Sequence, residues 1–300
     1  MKIGLSIYSL YKEIRAGILT VEEAIDLIAD FGAEHVELVD FVVEFAEHPD
    51  RIDAVVARCR ARNLPISAYC VCADVLDMDA DAADKETRRI IDHIDIARKL
   101  GAKILRSDLS KWGRPPEANA IEIFEKSMPR LTETCCKLAD YAKPHGITVT
   151  VENHGTFING GDRVRRLITA VGRENFRCTL DVGNSLCVDE DPAVCAKILL
   201  PFAATVHFKD FVYRTDGVAC GADGPPAFRL ANWMTTNYGN FLKGTIVGDG
   251  DVDVVGLMRL IRKAGFDGDV AIEFEGMENC REGSRISLEN VKRYRELAIT

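Results

Sequence analysis

The strongest constraint on this chain is a rhythm that runs its whole length. Short apolar runs alternate with longer amphipathic ones. The short runs are KIGLSIY (2–8), HVELVD (35–40), PISAYCV (65–71), AKILRSD (102–108), ITVTVEN (147–153), RCTLDVG (177–183), ATVHFKD (204–210) and DVAIEFE (269–275). Their length and β-branched content predict strands. Helical patterns lie between them. Thr20-Val21-Glu22-Glu23 fits a capping box, followed by Val21, Ala24, Ile25, Ile28 and Phe31 at helical spacing. A second stripe, Met128, Leu131, Cys135, Leu138 and Ala142, runs through residues 118–142. Near the end Val254, Leu257, Met258 and Ile261 repeat at i, i+3, i+4 and i+7, with Gly265 as a stop. Strand then helix, eight times over, predicts an α/β fold with a parallel sheet closed as one (β/α)8 TIM barrel spanning residues 1–300. The competing open, doubly wound sheet would carry G-x-G-x-x-G after its first strand, and none stands there.

Composition narrows the partners. With 47% hydrophobic and 28% charged residues the chain can bury a sizeable core, and its net charge of −9 disfavours a nucleic-acid partner. There is no apolar run long enough for a membrane span, and residues 1–17 read as a strand rather than a signal peptide. The ten cysteines stand mostly inside apolar periodic segments (Cys59, Cys135, Cys136, Cys178, Cys195), and Cys70-x-Cys72 has no second pair at zinc spacing. Reduced thiols in a cytoplasmic protein are therefore expected.

One stretch breaks the rhythm. Residues 211–250 form a long loop after the seventh strand, rich in Gly, Asn, Pro and aromatics. Loops of this length in a compact domain are usually functional. Trp233, Phe228, Tyr238 and Phe241 argue for a packed lid or a subunit contact, the latter in a homo-oligomer.

A barrel enzyme's site lies where strands end, and side chains alternate along a strand. Glu152 shares a face with Thr148 and Thr150, and Asp181 with Thr179. His207 goes with Thr205 and Lys209, and Glu273 with Ala271 and Glu275. In each run the large apolar side chains take the other face. A lone acid at a strand end is ordinarily a helix cap or a salt-bridge partner. Four such groups on consecutive strands with one facing are different, because three carboxylates buried together require a cation or protons. Glu152, Asp181, His207 and Glu273 thus read as ligands of one divalent metal ion, mainly oxygen donors, suited to Mn²⁺ first and also to Mg²⁺, Co²⁺ or Zn²⁺.

With those residues in place, the chain resembles the xylose isomerase-like superfamily of sugar isomerases, epimerases and inosose dehydratases. The resemblance rests on VENHG (151–155), LDVGNS (180–185), HFKD (207–210), VGDGDVD (247–253) and AIEFEG (271–276), in that order. It implies the same four metal ligands, and it implies that Glu152 and Glu273 also act as acid and base. Lys209, Asn184, Arg106, His154, Glu37 and Glu275 are the candidates for holding substrate. Asn184 stands where the related epimerases often carry a substrate-binding histidine, and Glu275 competes with Glu273 for the fourth ligand position.

The chemistry follows from the residue types. A divalent ion chelated by a carbonyl and its neighbouring hydroxyl stabilises the enediolate formed when the α-proton leaves. Carboxylates on either side can remove that proton and return another. The expected function is a metal-dependent isomerase or epimerase acting on a small sugar or sugar phosphate. The alternative is a lyase on the same scaffold, an inosose dehydratase or a 3-oxo-glycoside deglycosidase, with His154 or the long loop protonating the leaving group. An endonuclease IV-like repair enzyme would need more ligands than six histidines and an acidic balance offer.

Overall fold

The structure, a computed structural model, describes residues 1–215 and 233–298. The predicted rhythm is realised. Strands β1 (Lys2–Ser6), β2 (Val36–Val39), β3 (Ile66–Val71), β4 (Ile104–Ser107), β5 (Thr148–Glu152), β6 (Phe176–Asp181) and β7 (Ala203–Phe208) follow one another around a parallel barrel. Three further strands, β8 (Asp210–Arg214), β9 (Met234–Thr235) and β10 (Phe241–Thr245), stand apart from it. The last, β11 (Asp269–Ile272), enters between β7 and β1 and closes the barrel.

The long segment after β7 is where the fold departs from expectation. The seventh apolar run is cut at Lys209. The chain resumes as β8, which pairs antiparallel with β10 from Asp210↔Thr245 to Arg214↔Phe241, and β9 pairs with the far side of β10. Part of the expected loop, at both of its ends, is therefore a three-stranded sheet. Antiparallel pairing over some thirty intervening residues leaves no local signal. Tyr238 is exposed at its turn, whereas Leu242 and Phe211 are buried against Cys187. Phe228 lies outside the described residues, as does the rest of 216–232, so a lid there is not described.

Register fixes which side chains enter the barrel. Partners on neighbouring parallel strands face the same way. Ser6 pairs with Glu37, Cys70 with Arg106, Arg106 with Thr150, Asp181 with His207, and His207 with Ala271. The polar set read from alternation is thus the interior set. The opposite faces carry Leu5, Leu38, Leu105, Val151, Leu180, Val206 and Phe208, all under 2% exposed beneath the helices. Each such side chain contributes about 1.5–3 kcal/mol of burial.

The helices begin and end as their sequences require. Thr20 accepts from the Glu23 amide while Glu23 accepts from the Thr20 amide, the full capping box, ahead of the helix Val21–Asp30. Asp253 caps the helix Val254–Lys263, whose Val254, Leu257, Met258 and Ile261 are buried. Gly265 follows at φ +74°, a conformation that glycine adopts without strain. The nine described cysteines are all free, and most are buried. No described helix is long and apolar enough to cross a membrane.

Candidate metal centre

At the C-terminal ends of β5, β6, β7 and β11, four side chains converge. Glu152, Asp181, His207 and Glu273 each bring one ligand atom within 4.8 Å of the others, and all four are buried. His207 Nδ1 stands 3.6 Å from Glu152 Oε1 and 3.5 Å from Glu273 Oε1. Glu273 lies one residue past β11, and its amide donates to the Phe208 carbonyl, which carries the strand's alternation one step further. Glu275 is not part of the cluster. It pairs with Lys209 at 3.1 Å, so of the two competing glutamates Glu273 is the one that the geometry brings in.

Neighbours orient each of the four. Asp181 Oδ1 accepts from the amides of Gly183 (2.8 Å) and Asn184 (2.7 Å), which leaves Oδ2 on the side of the cluster, facing Lys209. Asn153, one residue past β5, clasps the Asp181 backbone, accepting from its amide and donating to its carbonyl. Asn184 Nδ2 donates to Glu152 Oε1 at 3.0 Å, and Arg106 Nε meets Glu152 Oε2. His207 Nε2 faces Glu37 Oε2 at 2.8 Å. That contact turns Nδ1 toward Glu152 and Glu273, and although burial lowers the imidazole, Glu37, Glu273 and Glu152 together raise it well above its ordinary value.

Two buried cations balance part of this charge. Lys209 Nζ lies 2.7 Å from Glu273 Oε2 and 3.3 Å from Asp181 Oδ2, besides its contact with Glu275. Its stem passes directly over Gly183, where a Cβ would come within 2.6 Å of Lys209 Cγ and 2.9 Å of its carbonyl oxygen, so only glycine fits. Arg106 bridges Glu152 and Asp108, and Asp108 in turn holds His154 Nδ1 at 3.2 Å.

Protonation follows these contacts. Burial alone would raise the Glu152 carboxyl, but Arg106 and His207 hold it well below the usual carboxylate range. Glu273 is likewise lowered against burial, by Lys209 and His207. Asp181 goes the other way, pushed up by burial and by the charges of Glu152 and Glu273 despite Lys209. Three carboxylates and an imidazole nitrogen gathered within 4.8 Å of one another in a buried pocket are the donor set for a cation at their centre.

Above the cluster opens a cavity of about 320 Å³. Glu273, Glu275, Arg106, His154 and Asn184 line it among the residues expected from sequence. Glu37 and Lys209 do not. Both lie behind the candidate ligands, Glu37 against His207 and Lys209 among three carboxylates. Sequence reasoning missed Asp108, which shares the inward face of its run with Arg106. It also missed Tyr8, Phe41, Cys72 and Trp112, which come to the wall from the ends of other strands and give no periodic signal.

A closed parallel barrel with three carboxylates and an imidazole gathered at its C-terminal mouth has the architecture of a barrel enzyme. The chain belongs to the xylose isomerase-like TIM barrel family, whose sequence model matches residues 25–297. Among curated proteins it is similar to inosose dehydratase of Bacillus velezensis, 25% identical over 226 residues that cover 71% of this chain and 70% of that one. Its fold is similar to that of 3-keto-D-glucoside 4-epimerase of E. coli, at a TM-score of 0.71 and 17% identity over 98% of this chain and 99% of the other. A xylose isomerase-like TIM barrel protein of Mycobacterium smegmatis, in complex with magnesium, matches at a TM-score of 0.70 and 18% identity over 98% and 97%. At such identities the structural likeness speaks to the fold alone.

Proposed function

We propose that the protein is a divalent-metal-dependent isomerase or epimerase that moves a proton next to the carbonyl of a keto-sugar. The observation that carries this reading is the pair Glu152 and Glu273. Two buried carboxylates, each held ionised by its own cation, flank His207 Nδ1 from different strands. Glu152, Asp181, His207 and Glu273 would hold the ion, Mn²⁺ first by donor set. When bound, such an ion polarises a carbonyl and its neighbouring hydroxyl.

The protein's own groups supply the rest. Glu273, at the cavity floor, takes the proton from the carbon beside the carbonyl. Glu152, deeper and clamped by Arg106 and Asn184, faces that carbon from β5 and exchanges a proton on the other side. Return to the same carbon from the opposite side gives an epimer, and return to the neighbouring carbon gives the isomer. The unpaired thiols accord with the reducing cytoplasm.

A lyase is the second reading, and His154 favours it. Burial lowers this imidazole, but Asp108 outweighs burial and raises it, which makes a proton donor at the cavity wall suited to a departing hydroxyl. The similarity to inosose dehydratase points the same way. Incubation with Mn²⁺ and a panel of keto-sugars in D₂O tests both readings. Deuterium uptake without loss of mass supports the isomerase or epimerase, an unsaturated product supports the lyase, and neither with any panel member overturns both.

A further inference from the structure

We propose that Asp40 and Arg89 are positioning residues that hold Cys72 by its amide and its carbonyl and so fix the β2–β3 wall of the cavity. Their effect on substrate binding rests on the reaction proposed above. The clamp stands where the barrel ladder stops. β3 pairs with β4 as far as Val71↔Ser107, and the Asp108 amide donates to the Val71 carbonyl at 3.0 Å. Cys72, one residue on, lines the cavity, as does Phe41 just past β2. Backbone groups that leave a ladder need other partners, and side chains supply them here.

Asp40 opens the short helix Asp40–Val43, and its side chain is only 11% exposed. Its Oδ1 accepts from the Phe41 amide at 2.7 Å and its Oδ2 from the Cys72 amide at 3.2 Å. One carboxylate thus sets the spacing between two wall residues that follow different strands. The Phe41 ring extends that wall, packing edge-on against Tyr8 and Tyr11 with centroids 6.0 and 5.1 Å apart.

Arg89 takes the other end, its Nη2 donating to the Cys72 carbonyl at 2.6 Å. Glu86, Arg89 and His93 share one face of the helix Ala80–Leu100 by their i, i+3, i+7 spacing. Glu86 accepts from Arg89 Nε and Nη2, both at 2.9 Å, and from the Asp74 amide at 3.3 Å. Arg89 Nη1 donates to His93 Nε2 at 3.0 Å and stands 3.9 Å from Asp40 Oδ2. Every donor of the guanidinium is therefore directed, and lysine would keep the charge without the fork. Neither Asp40 nor Arg89 lines the cavity, so both act through Cys72 and Phe41.

Deuterium exchange by the Mn²⁺-loaded protein, followed over a range of keto-sugar concentrations, tests the clamp. Asp40→Asn keeps the volume but turns one accepting oxygen into a donor, so one of the two amides loses its partner. Arg89→Lys keeps the charge and loses the fork. Each should raise KM about tenfold and leave kcat within about twofold, the mark of binding lost equally from substrate and transition state. A fall in kcat as large as the rise in KM, or parental constants in both variants, overturns the inference. Cys72→Ala leaves the held backbone with no thiol to place, so adding Arg89→Lys to it should change KM by less than about twofold, whereas independent effects would multiply. Full multiplication overturns the route through Cys72. If no keto-sugar exchanges, the proposed reaction fails, and the clamp is judged on Cys72 itself. Among the described cysteines Cys72 alone is exposed, so its labelling by iodoacetamide, followed by mass spectrometry at that residue, reads how firmly the wall is held. Labelling about tenfold faster in Arg89→Lys than in the parent supports the clamp, and equal rates overturn it.

Discussion

His207 and Glu37 meet at 2.8 Å, imidazole Nε2 to carboxylate, with both side chains wholly shut off from solvent. The contact joins β7 to β2 across the barrel interior and sets which nitrogen of the ring faces the candidate ligands. Removing such a partner typically costs 10–100-fold in metal affinity. Glu37→Ala is expected to weaken Mn²⁺ binding by about that factor in calorimetry, with the circular dichroism of the barrel retained. In the parent protein, Mn²⁺ at about 100 times its dissociation constant should raise stability by about 2.7 kcal/mol, visible as a higher Tm. Equal Mn²⁺ affinity in parent and variant would remove Glu37 from the orienting role.

Glu152→Gln and Glu273→Gln separate proton transfer from folding. Each substitution keeps the volume, and each stranded cation keeps another partner, Asp108 for Arg106 and Asp181 with Glu275 for Lys209. Loss of an acid or base group costs about 10²–10⁴ in rate. Both variants should lose exchange by that amount while their urea unfolding stays cooperative. Near-parental exchange in both would contradict the acid–base assignment.

Gly250 sits where Asp210 gathers the loop ahead of the helix Val254–Lys263. Asp210 accepts from the amides of Gly248 (2.9 Å), Gly250 (3.0 Å) and Val252 (3.2 Å). A Cβ at Gly250 would collide with that carboxylate and lie 2.6 Å from the Phe211 carbonyl oxygen. Gly250→Ala should destabilise by about 1–3 kcal/mol, whereas Asp249→Ala, at an exposed neighbouring position, should stay within about 0.5 kcal/mol. Chemical denaturation compares the two, and equal effects would discount the Asp210 cradle.

His93 gives the fold an acid weakness away from the site. Arg89 Nη1 can only donate to His93 Nε2, at 3.0 Å, so the ring is neutral with its proton on Nδ1, directed at the Tyr69 hydroxyl. Burial, with Arg89 adding to it, lowers this imidazole to about 4. Between about pH 6.5 and 4 the unfolded chain therefore binds a proton that the folded chain refuses, and stability falls as pH falls through that window. The full loss is about 3 kcal/mol. Denaturation midpoints across this range should show a slope that His93→Gln flattens; an unchanged slope would place the acid sensitivity elsewhere.

Much of the architecture is legible in the sequence. The 2-residue alternation puts Glu37, Arg106, Glu152, Asp181 and His207 on one face, and barrel closure turns that face into an interior. Roles are harder to read. Glu37 and Lys209 look like substrate contacts on a strand diagram, because alternation gives direction but not depth. Asp108 is available from the same alternation, two residues beyond Arg106, yet nothing local marks it as the link to His154. The β8–β10 pairing depends on partners far apart in sequence, and Trp112 and Phe41 reach the cavity from connecting segments whose paths no periodicity records.

The barrel closes through its last strand. β11 completes the ring between β7 and β1, and Ser9 ties the seam by donating to the Ile272 carbonyl and accepting from the Phe274 amide. During synthesis, then, β1 waits for a partner that is made more than 260 residues later. Until it arrives, β1 and β7 each present an unpaired parallel edge, the kind of surface on which nascent chains adhere to one another. A ribosome stalled before residue 269 would release a chain holding every strand but the one that seals it.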